Sequence, residues 1–216
     1  MAEHSGIIAR AAREALAPLG CFQKGRSRTW LDDHGWWVAV IEFQPSSWSK
    51  GSFLNVGACW LWYAKDHLSF DDGSRIEGFR QFEGTQQFQA VAAALAERAK
   101  DEVTALRKRF PTPRAAAEHL RTKKANKDDI WTHYHAGVAA GLAGDVDGAK
   151  VRLQDVMTVP EHDLAWVREL KERSVELLQA ADDVPLFRDR VRSIVEAARR
   201  LLKLPGRGKP IEWPPC

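Results

Sequence analysis

The chain lacks every common sequence signature of catalysis. It has no GxGxxG or GxxxxGK[ST] loop to cradle phosphates and no GxSxG elbow to present a strained serine. It also has no HExxH or CxxC spacing to seat a metal. Cysteine is scarce. Cys21, Cys59 and Cys216 are odd in number and have no metal-like spacing, which argues against a disulfide framework and fits free thiols in a reducing compartment. No stretch approaches the ~18 consecutive apolar residues of a membrane span. The first twenty residues have spaced rather than contiguous apolar positions, unlike a signal peptide. A cytoplasmic location without membrane attachment is expected. Strong net charge is missing too: 32 basic and 29 acidic residues leave +3, so whole-chain electrostatics does not announce nucleic acid. The balance is uneven, with 9 basic and 10 acidic residues in 1–83 and the remaining 23 and 19 behind them.

What is present is ordinary globular composition, 44% hydrophobic and 28% charged over 216 residues, enough to bury a core without disulfides or metal. Ile7, Ile8, Ala11, Ala12, Ala15, Leu16 and Leu19 recur at three- and four-residue steps, predicting a helix over 7–19 that Gly20 caps. The period then changes. Strands are expected over Gly25 to Asp32, Trp36 to Gln44 and Phe53 to Tyr63, with an edge strand from Arg75 to Phe82. Asp33-His34-Gly35 reads as a turn, and 45–52 as a loop of Pro, Ser and Gly. Short connections favour an antiparallel meander.

From residue 85 the period is helical. Phe88, Val91, Leu95, Ala99, Val103, Leu106 and Phe110 mark a long helix ended by Pro111. Thr112-Pro113 caps a short helix reaching to about Lys124. Four more helices follow, near 128–143, 146–158, 161–181 and 184–204, with Asp183 and Pro185 opening the last. The fold class is therefore α+β: a three- to four-stranded antiparallel sheet flanked by helices, followed by an all-helical C-terminal half. The boundaries expected are 1–121, 122–204 and an irregular tail 205–216, with the basic stretch 122–127 as junction.

Gly137, Gly144 and Ala149 lie where two helices would turn tightly on each other. This arrangement resembles the helical hairpin of a tetratricopeptide repeat. No second copy occurs at a 34-residue step, so a lone hairpin is expected rather than a solenoid. In the front half, Gly20-Cys21-Phe22-Gln23-Lys24-Gly25, Arg28-Thr29-Trp30, Val38 to Gln44 ending in Gln44-Pro45-Ser46, and Phe53-Leu54-Asn55-Val56 resemble the bacterial domain-of-unknown-function family 4304. The order helix, three strands, long helix fits as well. The resemblance implies a bacterial source and an α+β front domain, and no activity.

Seven residues stand out as candidate ligand contacts: Arg26, Arg28, Trp30, Gln44, Ser46, Trp48 and Asn55. Strand side chains alternate faces, so Arg26, Arg28 and Trp30 share one face of their strand and Glu42 and Gln44 one face of the next. Were the two faces the same, guanidinium, amide and indole groups would line one surface suited to a planar or anionic ligand. A solvated face with a cross-strand Glu42–Arg pair explains the same residues. Trp48 sits in a polar loop, where an exposed aromatic serves contact as readily as it folds back on the sheet edge. Six tryptophans lie within 33 residues (30, 36, 37, 48, 60 and 62); core filling accounts for most, and a stacking platform is the sharper alternative. Alternation sends Trp36 and Trp37 to opposite faces.

Other constellations read as structural. His133 and His135 are two apart on a helix, roughly 200° around it, and cannot chelate one ion; His119 and His162 are isolated. Asp145-Val146-Asp147-Gly148 echoes a calcium loop without its ligands, and Asp145 serves better as a helix cap. Ser46, Ser47 and Ser49 have no elbow around them, Cys21 and Cys59 no sequence partner, and Cys59 is expected to be buried. Two runs are basic. One holds Arg107, Lys108, Arg109, Arg114, Arg121, Lys123, Lys124 and Lys127 against Glu118, the other Arg199, Arg200, Lys203, Arg207 and Lys209; either can neutralise phosphates or simply solvate helix ends. The leading expectation is a non-enzymatic binding or protein-interaction protein of the bacterial cytoplasm, with no cofactor or metal. Nucleic-acid association through the basic runs, and an enzyme of unrecognised type using Arg28, Gln44 and Ser46, are the alternatives. The sequence leaves oligomeric state open.

Overall fold

A computed structural model describes residues 3–123, 129–160, 164–206, 211 and 213. Its fold class is α+β, with the strands in the N-terminal half and the remaining helices behind them. The chain divides into two compact units: Met1–Leu61 with Lys65–Lys108, and Trp62–Ala64 with Arg109–Cys216. The helical unit thus takes in three residues from the connection that follows β4.

The front unit opens with α1 (Glu3–Leu16), which buries Ile7, Ile8, Ala12 and Leu16 along one stripe. A 3-10 turn, Ala17–Leu19, follows, and Gly20 closes it at φ 84°, a conformation that glycine adopts without steric cost. Five strands then run as an antiparallel meander in sequence order: β1 (Phe22–Gln23), β2 (Thr29–Asp33), β3 (Trp37–Glu42), β4 (Gly51–Trp60) and β5 (Asp72–Gln81). The sequence pattern anticipates all but β1, whose two residues carry no periodicity. The long helix α2 (Thr85–Arg109) completes the unit.

Arg28 reaches Ser5 of α1, and Asp32 is held by Arg107 of α2. Arg28, Trp30 and Asp32 alternate onto one face of β2, so both helices cover that face. Trp30, Trp37, Ile41, Val56 and Trp60 supply its buried apolar surface. The opposite face buries Leu31, Val38, Val40 and Cys59. The β4–β5 connection folds over part of it: Phe70 lies against Gly57, and Ser69 Oγ is 3.5 Å from Cys59 Sγ. Asp71 pins that connection by accepting from Trp60 N (2.8 Å) and Ser69 Oγ (2.6 Å) and by pairing with Lys65 (3.1 Å).

The opposite-face expectation for Trp36 and Trp37 fails. The strand begins at Trp37, so alternation does not govern Trp36. It stacks on Trp60 at 5.7 Å with planes 3° apart, while Trp37 meets the same ring tilted at 6.4 Å.

The helical unit contains α3 (Pro113–Thr122), α4 (Ile130–Leu142), α5 (Val146–Thr158), α6 (Ala165–Ala180) and α7 (Val184–Leu201). Four of them start on the side-chain caps the sequence advertises or permits: Thr112 accepts from Ala115 N, Asp129 from Thr132 N, Asp145 from Gly148 N and Asp183 from Leu186 N. Helices α4 and α5 form a tight hairpin, because a Cβ at Gly137 would stand 2.8 Å from Leu153 Cγ. Helix α7 returns to α4, with the Phe187 ring against Gly141 and Arg188 Nη2 donating to Leu142 O at 2.9 Å, so the unit closes as a bundle. Trp62–Ala64 belongs to this bundle: Trp62 Nε1 donates to His135 Nδ1 at 2.9 Å, and Tyr134 Oη donates to Trp62 O at 2.8 Å. In the tail Ile211 is buried, and Trp213 Nε1 donates to Arg188 O. Most of the expected junction, residues 124–127, lies outside the described residues, as do His162, Arg207, Lys209 and Cys216.

Candidate functional site

Sheet register decides which candidate residues meet. Thr29 pairs with Glu42, Glu42 with Asn55 and Asn55 with Arg75, one row across four strands. Trp30 pairs with Ile41 and therefore occupies the other face. The seven candidates separate into three places rather than one surface.

Arg26, Arg28 and Trp30 come together around a cavity of about 500 Å³. One wall is the Ser5, Ile8, Ala9 and Arg13 stripe of α1; the other is the β1–β2 turn with Trp30 and Phe43 behind it. The turn builds itself. Gly25 takes φ 59°, Ser27 Oγ donates to Lys24 O at 2.7 Å and accepts from Thr29 N at 3.1 Å, and Gln23 Nε2 donates to Ser27 O at 2.6 Å. This leaves Arg26 exposed at the tip. Arg28 is half-buried and donates through Nη2 to Ser5 Oγ at 2.5 Å and through Nη1 to Gly51 O at 3.2 Å. Burial lowers its pKa. No carboxylate lines the cavity, and none of Arg13, Arg26 and Arg28 forms an ion pair with a described residue. The field nearby is positive: burial, and then the charges of Arg28 and Lys50, lower the pKa of His4. The apolar lining of Ile8, Trp30 and Phe43 is almost wholly buried.

Gln44 and Asn55 lie on the opposite face in a closed network. Asn55 Nδ2 donates to Glu42 Oε2 and Gln44 Oε1, both at 2.9 Å, and Arg75 Nη2 donates to the same Gln44 oxygen at 2.9 Å. The Arg75 guanidinium stacks over Phe53 at 4.0 Å. The cross-strand partner of Glu42 is therefore Asn55 rather than an arginine, because the register sets Arg75 one strand farther away. Ser46 and Trp48 form the third place. Ser46 Oγ accepts from Trp48 N at 3.1 Å, and the indole is 93% exposed at the tip of the β3–β4 loop.

Two further features escaped the sequence reading. Asp32 and His34 form a 2.7 Å pair near Cys21. Burial, with the Asp32 charge adding to it, pushes the Cys21 thiol up to about 11, and burial raises Cys59 as well. Neither cysteine is thus a thiolate near neutrality. In the helical unit a groove of about 450 Å³ runs over Ala136 and Ala140 of α4 and Ala143 at its C-cap. Arg114, Glu118 and Arg121 of α3 flank one side, and Asp147 and Arg152 of α5, with its N-cap Asp145, the other. The basic runs are partly committed elsewhere: Arg107 pairs with Asp32, and Arg199 is buried with Nη2 on Pro205 O. Among the described residues, no three metal-capable side chains cluster, and no helix is long and apolar enough to cross a membrane. No family model, no curated protein and no solved structure matches the chain.

Arg13 was missed because it lies on the polar border of α1. Its signal is the Ser5–Ala9–Arg13 spacing, which places all three along one edge of the helix.

Proposed function

We propose that this chain is a non-enzymatic binding protein of the bacterial cytoplasm and that it binds an anionic ligand in the cavity between α1 and the β1–β2 turn. The carrying observation is the set of three arginines without a carboxylate around an apolar-backed cavity. Guanidinium groups without a carboxylate partner favour carboxylate or phosphate, to which they donate charge-assisted hydrogen bonds in pairs. The resemblance of short front-half motifs to family 4304 adds no activity to this reading. Calorimetric titration with a panel of small organic anions tests it. Binding that weakens with salt and is lost in Arg26→Ala supports the proposal, and a panel that fails throughout ends it.

A second reading, a protein partner laid along the α3–α5 groove, is favoured by the alanine floor, which admits close approach of another backbone. Ala140→Trp would block a partner there and leave binding in the arginine cavity unchanged. The nucleic-acid alternative is weakened by the internal commitments of Arg107 and Arg199.

A further inference from the structure

We infer that the ligand of the arginine cavity is a small organic phosphate monoester, bound as the dianion with its organic stem along Ala9 of α1, the partly exposed apolar residue of the lining. This rests on the binding reading above and narrows it to one chemistry.

The first reason is charge. Three guanidiniums stand around the cavity with no carboxylate among the lining residues, and a monoanion would leave two of them uncompensated. Arg28 is the fixed point. Its terminal nitrogens are already committed to Ser5 Oγ and Gly51 O, so it contributes a positive charge held in place by the fold. The charge sits where burial disfavours it, and a dianion close by would relieve that cost.

The second reason is the donor inventory. Arg13 and Arg26 make no hydrogen bond or ion pair with a described residue, so each keeps its full set of N–H donors. Three acceptors of the turn, Lys24 O, Ser27 Oγ and Ser27 O, are engaged within it. A wall rich in donors and poor in acceptors suits a group that only accepts. A phosphate monoester presents three such oxygens and carries close to two charges above its second pKa of about 6. Arginine also matches phosphate oxygens in pairs, which a lysine wall would not do.

The third reason is size and lining. About 500 Å³ falls within the usual range for small-ligand sites, roughly 300–1,000 Å³, and exceeds what free phosphate needs. The volume left beyond the phosphate, with Ala9 on its wall, leaves room for a stem on the ester oxygen.

Four probes separate these elements by calorimetry at pH 8. Phenyl phosphate is the ester dianion. Phenyl sulfate keeps the tetrahedral group and the stem with one charge fewer, benzoate changes the anion, and inorganic phosphate removes the stem. Phenyl phosphate is expected to bind at least tenfold more tightly than either monoanion, and its lead should shrink at pH 5, where it becomes a monoanion itself. Inorganic phosphate should be weaker than the ester. The double substitution Arg13→Ala with Arg26→Ala involves exposed side chains without partners in the fold, so it should abolish the lead without moving Tm. Equal binding of phenyl sulfate or benzoate would overturn the dianion inference while leaving the binding function standing. Equal binding of inorganic phosphate would overturn the stem. Failure of all four probes would remove the binding reading itself.

Discussion

Replacing Asp32 with asparagine should cost about 2 kcal/mol at neutral pH, and roughly half of that cost should be gone by pH 3. Asp32 is buried on β2 and receives three donated bonds: Arg107 Nε and Nη2, each at 2.8 Å, and His34 Nε2 at 2.7 Å. Arg107 Nη2 also donates to Leu19 O at 2.6 Å, so this one pair joins β2, α2 and the turn after α1. Burial alone would raise the carboxyl pKa. The hydrogen bonds from His34 and Arg107, and then their charges, outweigh it and hold the pKa at about 2, against 3.8 unperturbed. A depressed folded-state pKa means stability that is fully present above 3.8 and lost as pH falls through 2. At ~1.36 kcal/mol per unit the shift is worth about 2.4 kcal/mol, of which roughly half survives at pH 3. The Arg107 side chain is one-third exposed, so its charge can rehydrate when orphaned, and the loss stays below the ~3–5 kcal/mol of a fully buried pair. Urea unfolding of wild type and Asp32→Asn at pH 7 and pH 3 gives the comparison, and a cycle with Arg107→Met isolates the pair. A difference unchanged between the two pH values, or below about 0.5 kcal/mol at pH 7, would refute this account.

Three other outcomes are expected. Gly141→Ala should destabilise by about 1–3 kcal/mol, because the added methyl overlaps the buried Phe187 ring and pushes α7 from α4; thermal unfolding reads it. Trp62→Phe removes the indole donor to His135 Nδ1 inside the helical unit and should cost about 1–2 kcal/mol in denaturant unfolding, without affecting titrations of the arginine cavity. Trp48→Ala should leave Tm within about 1 °C while removing a fluorescence component quenched readily by acrylamide, since a 93% exposed indole contributes almost nothing to packing.

The sequence was most readable where structure is local. Apolar spacing located every helix to within a few residues, and Thr112, Asp145 and Asp183 marked three of their starts because a cap involves only neighbours. The meander followed from short connections. Register did not, because it depends on how β2 meets β3. For that reason Gln44 and Asn55 could not be separated in advance from Arg26, Arg28 and Trp30. The Asp32–Arg107 pair spans 75 positions and the Trp62–His135 bond 73, and no period or motif carries such pairings. Of the candidate site, two arginines and the tryptophan were legible as one strand face. The third arginine belonged to a helix whose polar edge looked like ordinary solvated surface.

The membership of Trp62–Ala64 in the helical unit has a consequence for the order in which the chain is made. Synthesis delivers the five strands and α2 before any helix that receives Trp62 and Tyr63. These two aromatics must wait until Trp131, Tyr134 and His135 emerge, about 70 residues later, to gain their ring neighbours and hydrogen bonds. A nascent chain of which only about the first 110 residues have left the ribosome would therefore hold the front unit while Trp62 and Tyr63 lack these partners. Those rings offer a chaperone a binding site that disappears once α4 arrives.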